Sequence, residues 1–144
     1  MEDVKAAFNW DHFNKSAKLG ASEIHGYGVL ANVVIPVAGA VLTEYGGKIV
    51  AQGLSEKPRS RYMLDINASY MIMGTKEPSG PAIAQKCNDA LWRADINCML
   101  MIITDATEFS VCTGNIRQTE RAFLVSIRAI AEGEEMCVDY GYGF

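Results

Sequence analysis

The 144-residue chain lacks long hydrophobic runs and has little excess charge of either sign. No apolar stretch approaches the ~18 residues that a membrane-spanning helix needs, so we predict no membrane segment. The first ten residues, MEDVKAAFNW, are polar and acidic and are not typical of a signal peptide. The net charge of −4 argues against direct binding to nucleic acid, which attracts basic surfaces. These absences predict an intracellular protein of the nucleus or the cytoplasm.

The chain is also poor in the side chains that bind metals. It has four cysteines, at positions 87, 98, 112 and 137, and two histidines, at positions 12 and 25. Zinc sites need such ligands at short spacings, and no C-x-x-C pair occurs, so we expect no metal site. Because the chain has no secretory signal, the even number of cysteines does not indicate disulfides. We therefore expect reduced thiols.

The N-terminal segment has apolar residues at the spacing of a helix. These residues are Val4, Ala7, Phe8 and Phe13. Asp3 stands where its carboxylate can accept hydrogen bonds from the first helical turn. We predict a short helix over residues 3–18, within a helical flank of residues 1–20 that packs against a domain of residues 21–144. The alternative is a helix that binds a partner.

From Gly20 onward, short β-branched or aromatic runs alternate with turn residues, which predicts a mainly β domain. The segment 81–89 is the exception and indicates a short helix or turn. No linker or low-complexity tract divides the domain. The predicted strands cover residues 27–31, 40–45, 62–66, 70–73, 97–104, 109–113, 122–127 and 136–140.

The C-terminal residues carry the most specific pattern. The segment RAIAEGEE, residues 128–135, precedes MCVDYGYGF, residues 136–144. Taken alone, this ending is typical of an aromatic strand that caps a core, since residues two apart lie on one face. Together the two segments resemble the C-terminal signature of the SET-domain protein lysine methyltransferases, R-x-I-x-x-G-E-E-L-x-x-D-Y-G. The resemblance implies a β-clip fold with a C-terminal pseudoknot, in which residues 136–142 thread beneath a loop of residues 80–98.

A second pattern, HGYG at residues 25–28, precedes a predicted strand. A lone G-x-G is typical of a turn and is weak by itself. Its position resembles the opening of SET domains, where the backbone lies against S-adenosylmethionine because a side chain would keep the cofactor away. The resemblance implies that His25, Gly26 and Tyr27 contact the methionine end of this cofactor.

A third pattern contains Asn88, Asp89 and Ala90, where SET domains have Asn-His-Ser. On local sequence alone, Asn-Asp is typical of a turn. The resemblance implies that the Asn88 amide binds the cofactor and that the backbone of Asp89 contacts its adenine. The later pair Asn97-Cys98 matches the Asn-Cys that precedes a strand in the family. The residues at 89 and 90 are the largest departure from the family pattern.

The resemblance also assigns residues to catalysis and to a lysine channel. Tyr140 matches the tyrosine whose hydroxyl orients the lysine nitrogen, and Tyr142 matches a second tyrosine that walls the channel. Val138 stands where the family often has an aromatic residue that influences the number of methyl groups added. Tyr70, or Tyr62 instead, is expected to supply another pocket aromatic. Phe144 is the aromatic left to cover the cofactor, because no cysteine-rich segment follows.

The resemblance implies an S-adenosylmethionine-dependent protein lysine N-methyltransferase. Its partner would be a lysine-containing protein or peptide, with histone tails among the candidates, and the sequence leaves the oligomeric state open. The first alternative is a SET-like binding module with little or no catalysis, which the change at Asp89 and Ala90 favours. The second is a small β scaffold without a cofactor.

Overall fold

A computed structural model describes residues 7–53 and 62–140, which are mainly β, and this confirms the predicted fold class. Short 3₁₀ helices cover Ala84–Lys86, Arg93–Asp95 and Thr107–Phe109. The strands are β1 (Ala17–Ala21), β2 (Tyr27–Ala31), β3 (Val41–Glu44), β4 (Gly47–Ala51), β5 (Met63–Asp65), β6 (Tyr70–Gly74), β7 (Asn88–Asp89), β8 (Cys98–Thr104), β9 (Thr113–Gly114), β10 (Glu120–Ser126) and β11 (Glu135–Val138).

The strands form three small sheets with the orders β1-β2-β11-β7, β3-β10-β8 and β5-β6-β4-β9. Most neighbours are antiparallel. The exceptions are β7, which pairs with β11, and β9, which pairs with β4, both in parallel. The C-terminal strand β11 therefore lies between β2, near the start of the domain, and β7, near its middle. This position brings the three sequence patterns into one sheet.

Strand β10 is buried on both faces because the molecule has apolar clusters on either side of it. Ala122 and Leu124 belong to the main cluster, while Phe123 and Val125 belong to a smaller, aromatic one. Since side chains alternate between the faces of a strand, one strand contributes to both clusters. A continuous apolar run in the sequence is the consequence of this two-sided burial.

The predicted N-terminal helix is wrong over residues 7–18, while residues 3–6 lie outside the described residues. Asn9 forms a β-bridge with Ala40, and strand β1 already begins at Ala17. Asn14 has a φ of 59°, which belongs to the left-handed region and ends any right-handed helix. The Asn9 side chain accepts a hydrogen bond from the backbone N–H of Asp11, so the chain turns locally.

Aromatic packing explains why a turning chain replaces the helix. The Trp10 ring stacks on Phe109 at a centroid distance of 4.1 Å and meets Phe123 edge-on at 5.2 Å. Phe13 meets the same two rings edge-on. Phe8 and Phe13, two of the residues that suggested a helical face, therefore pack with Trp10 against the aromatic side of β10, and burial outweighs local helix propensity.

Seven of the eight predicted strands are confirmed to within two residues, and the strand predicted over 109–113 is wrong. The buried Glu44 carboxylate draws that segment into a loop by accepting hydrogen bonds from Ser110 and from the backbone N–H of Val111. The buried Arg121 guanidinium also donates to Ser110 and fixes the same loop. The sequence patterns did not predict β1, β4, β7 or β9.

No helix in residues 7–53 and 62–140 is long and apolar enough to cross a membrane. All four cysteines are free thiols, and three of them are buried. Cys98 lies in β8, Cys137 lies in β11, and Cys87 directly precedes β7.

We expect Gly74→Ala to destabilise the fold by about 1–3 kcal/mol, the range of overpacking changes. A Cβ atom at this position would lie 2.6 Å from the Tyr62 carbonyl oxygen and 3.1 Å from the Tyr45 ring. Urea unfolding would measure the change. Gly80→Ala is the matched control, because a Cβ atom there meets nothing within 4 Å. Equal stabilities of the two variants would contradict this packing.

Candidate functional site

The Asn88 side chain lies at the centre of the site and is buried. Its Nδ2 donates towards the Glu135 carboxylate at 3.0 Å, and it lies 3.2 Å from the carbonyl oxygens of both His25 and Tyr27. The Ser22 hydroxyl is 3.1 Å away. Because the carboxylate and carbonyl oxygens among these neighbours only accept, the amide NH₂ must face them. No described residue donates to the opposite atom, Asn88 Oδ1, so this acceptor remains available.

The loop before β2 is held against β11 by the same set of bonds. The Ser22 hydroxyl donates to the Glu135 carboxylate at 2.7 Å and accepts the backbone N–H groups of Ile24 and His25. Gly28 has no room for a side chain, since a Cβ atom would lie 2.5 Å from a Glu135 carboxylate oxygen. Gly28 therefore permits the close approach of Glu135 and Asn88 that joins the loop to the C-terminal strand.

A cavity of about 130 Å³ opens beside this loop. It brings together the predicted cofactor residues His25, Gly26, Tyr27 and Asn88. Gly26 has a φ of +53°, and a Cβ atom added there would meet nothing within 4 Å, so its backbone faces open space. The residues that line the cavity are His25, Gly26, Tyr27, Tyr62, Lys86 and Asn88.

A second cavity of about 310 Å³ adjoins Glu135. Asn88 lines the first cavity and Glu135 lines the second, so the hydrogen bond between these two side chains connects the cavities. The second cavity is lined by four acidic side chains and by an exposed apolar pair, Leu91 and Trp92. Trp92 is 71% exposed. The lining residues are Glu23, Ile24, Leu91, Trp92, Asp95, Glu134, Glu135 and Cys137. The sequence patterns did not identify Trp92, although an aromatic residue just after the Asn-Asp-Ala pattern was a usable signal.

Tyr140 is fixed at both ends by the residues that flank Asn88. Its hydroxyl donates to the Cys87 carbonyl oxygen at 2.7 Å, and its backbone N–H donates to the Asp89 carboxylate at 2.7 Å. The side chain of Asn88 lines the first cavity, while its two neighbours hold the tyrosine. One three-residue segment thus connects the predicted cofactor site with the predicted catalytic residue.

Asn97 holds β11 from the side opposite β7. The fully buried side chain accepts the backbone N–H of Cys137 at 2.8 Å and donates to the Glu135 carbonyl oxygen at 2.8 Å. Its backbone N–H donates to the Cys137 carbonyl oxygen at 3.2 Å. Of the residues of β11, Glu135 and Met136 pair with β2, and Asn97 continues the bonding where that pairing stops.

Of the predicted channel residues, Tyr62, the alternative to Tyr70, lines the first cavity, whereas Tyr70 and Val138 line neither cavity. Val138 is buried in the main apolar cluster, and Tyr70 lies half-buried on β6, where it packs against the same cluster. Tyr142 and Phe144 lie outside the described residues. The sequence analysis did not single out Tyr45, which is buried and donates its hydroxyl to the Tyr62 carbonyl oxygen at 2.6 Å. Its place directly before Gly46-Gly47 was the available signal.

An ion pair at the rim of the second cavity belongs to the C-terminal pattern. Arg128 Nη2 lies 2.8 Å from Glu134 Oε2, and both side chains are partly exposed. Burial opposes the charge of Glu134, but hydrogen bonds from Arg128, Ala131 and Asn97 outweigh it and lower the pKa of this carboxyl. Glu134 therefore stays ionised and adds negative charge to the cavity. No metal-binding cluster of His, Cys, Asp or Glu occurs in the described part of the chain.

A family model described as the SET domain matches residues 26–141. The matched range contains Asn88, Glu135 and Tyr140, together with the strands that position them. It also spans Asp89 and Ala90, where the chain departs from the expected Asn-His-Ser. No curated protein matches the chain.

We expect Asn97→Ala to destabilise the protein strongly. The change removes the partners of the Cys137 N–H and the Glu135 carbonyl, and each unpaired buried polar group costs about 1–3 kcal/mol. Urea unfolding would measure the loss. Asn115→Ala is the control, because Asn115 is exposed and its side chain forms no hydrogen bond with the described residues. A loss in Asn97→Ala no larger than in this control would show that Asn97 does not hold β11.

The buried thiols predict a loss of stability at alkaline pH. Burial raises the pKa of Cys137 from its ordinary 9.0 to about 12, and burial also raises the pKa of Cys87 and Cys98. The unfolded chain therefore loses its thiol protons first. The free energy of unfolding should be unaffected by these groups below pH 9 and should fall above it, by about 1.4 kcal/mol per pH unit for each thiol.

Denaturant unfolding between about pH 8 and pH 11 would test this expectation. Tyrosine and lysine also titrate in this range, so the comparison is with Cys98→Ala, which has one buried thiol fewer. The variant should lose less stability than the wild type as the pH rises. Parallel pH profiles for the two proteins would contradict the assignment.

Proposed function

The chain belongs to the SET-domain family, and from this premise we propose that it is an S-adenosylmethionine-dependent protein lysine N-methyltransferase. The family generally comprises protein lysine methyltransferases, which typically use this cofactor. The proposal rests mainly on the segment Cys87–Asp89, because it contributes Asn88 to the first cavity and holds Tyr140 at both ends. A cofactor site and a catalytic tyrosine joined in this way suit a transfer between two bound molecules.

The residues of the two cavities fit the proposed cofactor. The available Asn88 Oδ1 can accept a hydrogen bond from its ammonium group, and the open backbone at Gly26 leaves room beside His25 and Tyr27. The acidic lining of the second cavity complements a ligand with a positively charged sulfur. The exposed Trp92 ring offers an apolar face for adenine. When bound, S-adenosylmethionine supplies the methyl group on that charged sulfur.

The backbone of Asp89 is the proposed adenine contact. The backbone N–H of Ala90 donates to the Val138 carbonyl at 2.9 Å, so Ala90 faces β11. Adjacent residues of a strand direct their backbone groups to opposite edges, and the N–H and C=O of Asp89 therefore face away from β11. Strand β7 is the outer strand of its sheet, so these two groups are open to a ligand.

Tyr140 acts in this proposal by orientation and electrostatics and not as a base. Its hydroxyl proton is directed to the Cys87 carbonyl, so the phenolic oxygen presents lone pairs to its surroundings. Such lone pairs can orient a lysine amine and stabilise positive charge nearby. A free lysine has a pKa near 10.4 and is mostly protonated at neutral pH, so a dry channel must favour its neutral form.

We further propose that Tyr142, Tyr70, Val138 and Phe144 contribute to the lysine channel and that residues 136–142 thread beneath the 80–98 loop. The bonds of Asn97 and the parallel pairing of β7 with β11 support the threading. The substrate would be a lysine-containing protein or peptide, with a histone tail as one candidate, in the nucleus or the cytoplasm.

The second candidate function is a SET-like binding module with little catalysis. The observation that favours it is the replacement of the family's His and Ser by Asp89 and Ala90. The two functions differ in turnover, because a binding module transfers no methyl group even when it binds the cofactor.

Tyr140→Phe provides the test that separates the two. The change keeps the aromatic ring and removes the hydroxyl, and the loss of one oriented polar group at a reacting centre costs about 10²–10³ in rate. Transfer of labelled methyl groups to lysine-containing proteins, histones included, would be measured for the variant and the wild type. Calorimetric binding of the cofactor is the internal control and should change little. Equal turnover in both proteins would remove Tyr140 from its assigned role.

A further inference from the structure

The Asp89 side chain has a contact that the cofactor assignment does not use. One of its carboxylate oxygens accepts the backbone N–H of Tyr140 at 2.7 Å, a short distance for an N–H donor. The carboxylate therefore holds the backbone of the proposed catalytic residue. This contact belongs to the side chain of residue 89, whereas the proposed adenine contact belongs to its backbone.

The contact lies where the regular pairing of β7 and β11 stops. In a parallel ladder the bonds alternate between the strands, so Tyr140 N–H would next donate to the carbonyl of Ala90. Strand β11 ends at Val138, and the Asp89 carboxylate accepts this N–H instead. The side chain thus ends the ladder and sets the path of the chain at Tyr140.

The bond of Tyr140 to Cys87 and its bond to Asp89 have different origins. Its hydroxyl is held by a backbone carbonyl, that of Cys87, which any residue at position 87 supplies. Its backbone N–H is held by a side chain, which only a residue with a suitable acceptor at position 89 supplies. The identity of residue 89 therefore decides whether the Tyr140 backbone N–H has this acceptor.

We propose that Asp89 is a positioning residue, whose carboxylate places Tyr140 for methyl transfer through the hydrogen bond to the Tyr140 backbone. This role rests on the proposed function. The role also gives a physical reason for an aspartate where the family has histidine, because a carboxylate at position 89 accepts the Tyr140 backbone N–H. Asp89 acts through Tyr140 and is not itself a catalytic residue.

Three variants test the role. Asp89→Ala removes the acceptor, whereas Asp89→Asn keeps an acceptor oxygen at the same place and removes only the charge. Asp11→Ala is the matched control, since the Asp11 carboxylate is exposed and forms no hydrogen bond with the described residues. The measurements are cofactor affinity by calorimetry, kcat and KM for methyl transfer, and hydrogen exchange of the Tyr140 amide.

For Asp89→Ala we expect the Tyr140 amide to exchange about 10-fold faster or more, as the loss of a hydrogen bond to a charged group predicts. The kcat should fall about 10- to 100-fold, because small misplacements of a reacting group are costly. The cofactor affinity and KM should stay within about 3-fold, since the Asp89 backbone and the Asn88 side chain remain. Asp89→Asn should restore most of the kcat and the amide protection.

Two results would overturn the proposal. One is an unchanged kcat in Asp89→Ala, and the other is a Tyr140 amide that exchanges at the same rate in Asp89→Ala and the wild type. A loss of cofactor affinity in both variants, with the amide still protected, would assign Asp89 to the cofactor alone. A wild-type protein without any methyl transfer would contradict the proposed function, and the exchange of the Tyr140 amide would still decide whether Asp89 holds this residue.

Discussion

The hydrogen bond between the Asn88 amide and the Glu135 carboxylate is the contact on which the site depends. It joins the middle of the domain to its C-terminal strand, and the Ser22 hydroxyl brings the loop before β2 to the same carboxylate. The loop and β2 can come this close to the Glu135 carboxylate because Ser22 has a short side chain and Gly28 has no Cβ atom. Three segments far apart in sequence thus meet at one buried polar group.

This arrangement links the first cavity to the proposed catalytic tyrosine, because Asn88 lines that cavity and its neighbours Cys87 and Asp89 hold Tyr140. Strand β11 is held on one side by β7 and on the other by β2 and then Asn97. Glu135 and Cys137 of this strand line the second cavity, and the chain leads directly from the strand to Tyr140. The departure at Asp89 is consistent with this design, because its carboxylate extends the bonding beyond the end of the strand.

The sequence predicted the features that depend on local spacing and missed those that depend on distant partners. The cluster of His25, Gly26 and Asn88 and most strand positions followed from short patterns and from the family resemblance. The helix predicted over 3–18 was wrong over its described part, because Trp10 and its aromatic neighbours pack on a sheet formed by later residues. The role of the Asp89 side chain depends on a residue 51 positions away and leaves no local signal.

Calorimetric titration of the purified protein with S-adenosylmethionine would show whether the cavity that Asn88 lines belongs to a cofactor site. The account predicts saturable binding to one site, which weakens when Asn88 is replaced by alanine. A ligand at 100 times its dissociation constant should also raise the free energy of unfolding by about 2.7 kcal/mol. An absence of binding at millimolar cofactor, with the protein folded, would contradict the account.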